Sequence, residues 1–147
     1  MDIKITKTDK GEPEFLEIHC HEESDEVREI IGFVRSREGR LAGYEGQRRF
    51  EIAVGDVYYI EAVDSRVFIY TKDKTYETKA KLYELEDMLR GKRFLRISKS
   101  VLLNLMKINS VKPALNGRFT ALLMNEEKVI ISRKYVPELK KALDGGK

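Results

Sequence analysis

Cysteine is nearly missing from this 147-residue chain: Cys20 is the only one. A lone thiol excludes an internal disulfide framework and fits a reducing compartment. Three prolines and ten glycines, with no repeated or low-complexity segment, leave little room for a long linker. Long apolar runs are absent as well, and none approaches the ~18 residues that span a bilayer. Met1-Asp2-Ile3-Lys4 lacks the apolar core of an export signal, so a cytoplasmic protein is expected. Histidine is confined to His19 and His21, which flank Cys20. A pleated strand would put both imidazoles on one face, but two fall short of the four ligands of a structural zinc site. No CxxC or HxxxH spacing supplies the rest, so no metal or other cofactor is expected. The phosphate-cradling glycine loops, the HExxH zinc helix and the GxSxG nucleophile elbow are also missing, and the chain is not expected to be an enzyme.

The most informative absence is of carboxylates. Between Met88 and Asn125 there is no Asp or Glu, while Arg90, Lys92, Arg93, Arg96, Lys99, Lys107, Lys112 and Arg118 all carry positive charge. In a chain whose formal net charge is only +3, such a window leaves cations without partners close in sequence, as contact with a polyanion requires. Residues 1–46 hold 7 basic and 12 acidic side chains, whereas residues 47–147 hold 21 and 13. The longer part is therefore expected to meet an anion and the shorter to shield, dimerise or sense.

What is present reads as α+β, mostly β. Ile3 and Ile5 alternate with polar neighbours, and beyond the turn-prone Asp9-Lys10-Gly11 the run Glu14 to Cys20 is again extended, which predicts a strand pair. Ser24 predicts the cap of a helix whose Val27, Ile30, Ile31 and Val34 form one apolar stripe. Asp25 and Glu26 fall in its first turn and Arg35 and Arg37 in its last, as the helix dipole favours. From Leu41 the pattern turns to short strands: Leu41 to Tyr44, Arg48 to Val54, Val57 to Val63, Val67 to Thr71, Thr75 to Thr78 and Phe94 to Ile97. Leu82, Leu85, Met88 and Leu89 give one helical face among them. Val101, Leu102 and Leu103 are consecutive and apolar, too much so for a half-exposed strand, and Ser98 or Ser100 offers a cap. A short helix reaching Leu105 is predicted. Asn116-Gly117 predicts a type I′ hairpin between Ile108 to Leu115 and Arg118 to Met124. A strand from Glu127 to Ile131 and a helix from Tyr135 to Leu143, with Pro137 in its first turn, close the chain. Phe94, Leu103, Ile108 and Ile131 are expected in the core.

Several blocks recur together: Asp56 to Asp64 (DVYYIEAVD), Phe68 to Thr71, Leu82 to Glu86, Phe94 to Ser100 with Leu103-Asn104, and Ser132-Arg133-Lys134-Tyr135. In this order and spacing they resemble the LytTR family of bacterial DNA-binding domains over about residues 48–143. The resemblance implies an elongated β-rich domain with short helices that inserts loops into successive major grooves of promoter DNA. Carried over by position, Ser65 and Arg66 match the first contact region, Arg96 and Lys99 the second, and Arg133 and Lys134 the third. Ser98 stands where many members have histidine and Val101 where many have an aromatic, which removes an imidazole donor from the middle region. Only about 46 residues precede the domain, so control by a phosphorylated receiver domain is not expected. Stand-alone members of this kind imply a short N-terminal αβ extension and a small membrane-protein partner.

The expectation is a sequence-specific regulator that binds duplex promoter DNA as a homodimer. Residues 1–46 form a small ββα extension, whose helix stripe or strands supply the dimer contact, and residues 47–147 the DNA-binding domain; the two join tightly around residues 38–47. The competing reading is a protein-interaction or ligand-sensing module whose basic face grips an acidic partner.

Overall fold

A computed structural model of the chain describes residues 1–145, apart from the side chains of residues 32, 33 and 35–38. The chain is mostly β with short helices. Its strands are β1 (Arg40–Glu45), β2 (Arg48–Ala53), β3 (Tyr59–Val63), β4 (Arg66–Tyr70), β5 (Thr75–Thr78), β6 (Phe94–Ser98), β7 (Val101–Asn104), β8 (Ile108–Pro113), β9 (Phe119–Leu123) and β10 (Lys128–Ile131). The helices are α1 (Asp25–Glu38), α2 (Leu82–Met88) and α3 (Val136–Asp144). A seven-stranded antiparallel sheet has the order β2-β1-β5-β4-β3-β7-β6, and a three-stranded sheet the order β10-β9-β8. β1 meets β5 through a single bridge, Tyr44 to Glu77. No helix among the described residues is long and apolar enough to cross a membrane.

Two apolar cores cover opposite faces of the large sheet. Leu41, Ile52, Ile60, Ile69 and Leu102 pack with Leu82, Leu85 and Leu89 of the α2 region. On the other side Tyr58, Ile97 and Leu103 pack with Ala121, Leu123 and Ile131 of the small sheet and with Leu139 of α3. Adjacent residues of β7 therefore point into different cores: Leu102 is 1% exposed and Leu103 0%. Each such burial is worth about 1.5–3 kcal/mol. This explains why the helix predicted over Ser98 to Leu105 is instead a strand. A strand covered on both faces has no polar side, so its apolar run is continuous and looks helical in sequence. Asn104 ends β7 with its amide satisfied: Nδ2 donates to the Val57 carbonyl at 2.8 Å and Oδ1 accepts from the Met106 amide at 3.0 Å. Burial comes first among the causes that raise the Tyr59 phenol well above its ordinary pKa, followed by Glu127 in the turn before β10. Tyr59 stacks on Tyr70 with ring centroids 4.4 Å apart.

Ser24 caps α1 as predicted, accepting from the Val27 amide, and Val27 is buried, with α1 seated on the 3-10 turn Val54–Asp56. The side chains of Arg35 and Arg37 lie outside the described residues. The strand pair predicted before α1 does not form in the single chain: residues 1–23 contain no strand, and Ile3, Ile5, Phe15 and Leu16 are exposed. A two-stranded hairpin with nothing covering its apolar face is marginal in water. His19, Cys20 and His21 are exposed too, with the His19 imidazole beside Glu17. β1 lies before residue 47 yet is paired to β2 and β5, so the large sheet begins at Arg40.

Candidate nucleic-acid interface

The antiparallel registers bring distant turns to one edge. Asp64-Ser65 is a two-residue turn between β3 and β4, with φ of 48° and 66°. β3 pairs with β7 through Glu61 and Val101, and the Ala62 amide donates to the Ser100 carbonyl at 2.8 Å. The β3–β4 turn therefore sits beside the β6–β7 turn, Ser98-Lys99-Ser100. The Ser132 amide donates to the Ile97 carbonyl at 2.9 Å, which sets the chain leaving β10, with Arg133 and Lys134, next in the row. Phe119 pairs with Ile131, so the β8–β9 turn follows. There Asn116 (φ 60°) and Gly117 (φ 75°) form the predicted tight turn, closed by the Arg118 amide on the Leu115 carbonyl. At the other flank, Val67 pairs with Thr78, so Lys79 and Lys81 emerge beside Arg66.

The cations on this edge differ in what they touch. Lys99, Lys112, Arg118, Arg133 and Lys134 are exposed, and among the described residues no carboxylate pairs with them. Lys134 lies 5.6 Å from the centroid of the Tyr135 ring. Lys79 is exposed and lies 4.6 Å from the centroid of Tyr44. Arg66 departs from the expectation of an unpartnered cation: its Nη2 is 2.6 Å and its Nε 3.1 Å from the Glu77 carboxylate. That hydrogen bond holds the Glu77 carboxyl below its ordinary pKa and raises that of Arg66. The pair is solvent-exposed, where an ion pair contributes little to stability.

Arg96 departs further. Its side chain is only 20% exposed. Nη2 donates to Glu86 of α2 at 2.9 Å, and Nη1 donates to the Lys99 carbonyl. Its Nε is buried without a partner. The guanidinium thus braces the turn that displays Lys99.

The carboxylate-free window is not one patch. Arg90, Lys92 and Arg93 precede β6 and Lys107 follows β7, with the Leu105 amide bonded to the Arg93 carbonyl at 2.8 Å. These residues lie at the opposite end of the β6–β7 hairpin from Lys99, about 17 Å away for a five-residue strand. Arg90 pairs with Asp87 at 2.6 Å, and Lys107 lies over the Tyr58 ring. Sequence reasoning left Lys79 and Lys81 out of the candidate site and had Lys112 and Arg118 only as members of the carboxylate-free window. The signal was the lysine pair after the predicted Thr75 to Thr78 strand, but only the register of β4 with β5 reveals its neighbours.

Gly117 couples two of the turns. A Cβ there would lie 2.7 Å from Arg133 Cδ and 2.9 Å from Cγ. Gly117→Ala is expected to cost about 1–2 kcal/mol in urea unfolding, because the position needs φ above zero, and to displace Arg133. Duplex affinity should fall with it, and fall no further when Gly117→Ala is added to Arg133→Ala. A second independent loss would separate the two residues.

A family model described as the LytTr DNA-binding domain matches residues 47–144. An uncharacterised HTH-type transcriptional regulator of Staphylococcus aureus strain MSSA476 is 28% identical over 145 residues, covering 97% of this chain and 98% of its own. A similarly described regulator of strain NCTC 8325 / PS 47 is 30% identical over 131 residues, 88% of each chain. The sensory transduction protein LytT of Bacillus cereus is 33% identical over 92 residues, which cover 63% of this chain and 37% of that protein. Among solved structures, the LytTr DNA-binding domain of a putative methyl-accepting/DNA response regulator from Bacillus cereus shares the fold. Its TM-score is 0.68 at 24% identity, over 71% of this chain and 96% of that one.

Proposed function

The chain belongs to the LytTr DNA-binding domain family, and we propose from that premise that it is a sequence-specific regulator whose row of strand turns lies along one side of promoter DNA. The observation that carries this reading is the edge on which Ser65, Arg66, Lys99, Arg133 and Lys134 are gathered by strand pairing and by the Ser132 to Ile97 bond. Neighbouring strands are spaced about 4.8 Å apart, so the four spacings from β5 to β6 in the large sheet carry the row roughly 19 Å, and the Ser132 to Ile97 bond continues it onto the small sheet.

Roles within the row follow from what each side chain can still do. Lys99 and Lys134, exposed at turn tips, reach guanine edges or phosphates. Arg133 works from the same turn as Lys134, and Ser65 offers a hydroxyl to a phosphate. Arg66 exchanges Glu77 for a phosphate, with Lys79 and Lys81 beside it. Arg96, which the family resemblance places among the contacts, acts by holding the Lys99 turn in shape rather than by touching DNA. Binding as a dimer across two half-sites enlarges an interface that one small domain keeps narrow.

The test is the salt dependence of binding to a random-sequence duplex. If only Lys99, Lys112, Arg118, Arg133 and Lys134 meet phosphates, log K against log salt should fall with a slope of roughly −4 to −5, and more steeply with Lys79 and Lys81 engaged. A flat response, or no binding, would favour a module that grips an acidic protein instead.

A further inference from the structure

The segment before α1 carries an apolar pattern that its own chain leaves uncovered. Ile3 is 89% exposed, Ile5 86%, Phe15 73%, Leu16 77% and Ile18 37%. A turn already joins the two runs: the Glu12 amide donates to the Asp9 carbonyl at 3.1 Å, and Gly11 takes φ of 94°, which suits glycine. His19 pairs with Glu17 at 3.1 Å, across the i, i+2 spacing that places side chains on one side of an extended backbone. Extending antiparallel pairing outward from this turn sets Lys7 opposite Glu14, Thr6 opposite Phe15, Ile5 opposite Leu16, Lys4 opposite Glu17, and Ile3 opposite Ile18. Opposite charges meet opposite charges, and aliphatic side chains meet aliphatic ones, which are the pairs that stabilise a ladder. Because side chains alternate, Ile3, Ile5, Leu16 and Ile18 share one face, and Lys4, Thr6, Phe15 and Glu17 lie on the other.

We infer that this segment is a dimerisation arm: residues 3–18 close into an amphipathic hairpin when the Ile3, Ile5, Leu16 and Ile18 face is covered by the same face of a second copy. The single chain leaves the hairpin open because nothing covers its apolar side, and two such sheets stacked about 10 Å apart cover each other. A second copy fits better than an acidic or basic partner. Apart from the Lys7 and Glu14 pair at the tip the face carries no charge, and that pair neutralises itself. Two five-residue strands offer less than the ~800 Å² per partner of a stable interface, so the association is weak and concentration-dependent. The inference names the contact for the dimer proposed above, and its test needs no DNA.

Sedimentation velocity of the full chain, from micromolar to sub-millimolar concentration, decides it. The weight-average mass should climb from 17.1 kDa toward twice that value. Ile5→Asp combined with Leu16→Asp should hold it at the monomer, and the melting temperature measured at micromolar concentration, where the wild type is also a monomer, should match that of the wild type. A wild-type mass that stays constant, or a variant that dimerises like wild type, overturns the inference. So does amide protection of residues 3–7 and 14–18 that is independent of protein concentration, since that would place the hairpin on its own chain.

Discussion

Lys99→Ala combined with Lys134→Ala is expected to weaken binding to a selected operator by about 1–3 kcal/mol for each lysine that meets a base edge. Smaller losses, and a salt slope shallower by about one for each substitution, are expected if the contacts are to phosphate. Both side chains are exposed on turns, so melting temperature should not move. The two turns are joined through the Ser132 to Ile97 bond but do not share a side chain, and the losses should add. Lys72 and Lys74, in the β4–β5 turn at the end of that strand pair away from Arg66 and Lys79, provide the control. Their removal should leave operator affinity unchanged. Equal losses from both pairs would mean that charge alone, wherever displayed, drives binding.

Leu139→Ala should destabilise the fold by about 2–5 kcal/mol, read as a lower urea midpoint. Leu139 is 0% exposed and is the α3 residue packed deepest among Ile97, Leu103 and Ile131. The helix starts directly after the turn Arg133–Tyr135, so loosening it also frees that turn, and duplex affinity should drop below what the folded fraction explains. Leu115, an aliphatic residue of the same size that is 83% exposed, sets the comparison. Leu115→Ala should stay within about 0.5 kcal/mol of wild type in stability.

Elements whose two faces differ were legible before the structure. The α1 cap and stripe, the hairpin at Asn116-Gly117, and the helix beginning near Pro137 all carry local signals that tertiary contacts reinforce. β7 was not legible, because burial on both sides erases the alternation that marks a strand. Met88 was expected on the inner face of α2 but is 58% exposed at its last position. The helix ends there, while Leu89, expected on the same face, is in the core. Within the site, sequence reached Lys99 through charge and motif together, and Ser65, Arg133 and Lys134 through the family resemblance alone. It could not separate Lys99 from Arg90 or Lys107, since β6 and β7 carry those residues to opposite ends. Nor could it foresee the partners of Arg66 and Arg96: Glu77 lies 11 residues away and Glu86 lies 10, and in each case a fold in the chain closes the gap.

Amide chemical-shift mapping during titration with duplex DNA tests most directly whether the gathered turns are the binding edge. The account predicts that perturbations concentrate at residues 64–66, 79–81, 98–100, 115–118 and 132–134. Perturbations centred instead on residues 72–74, 90–93 and 105–107, at the far ends of the same strands, would contradict it.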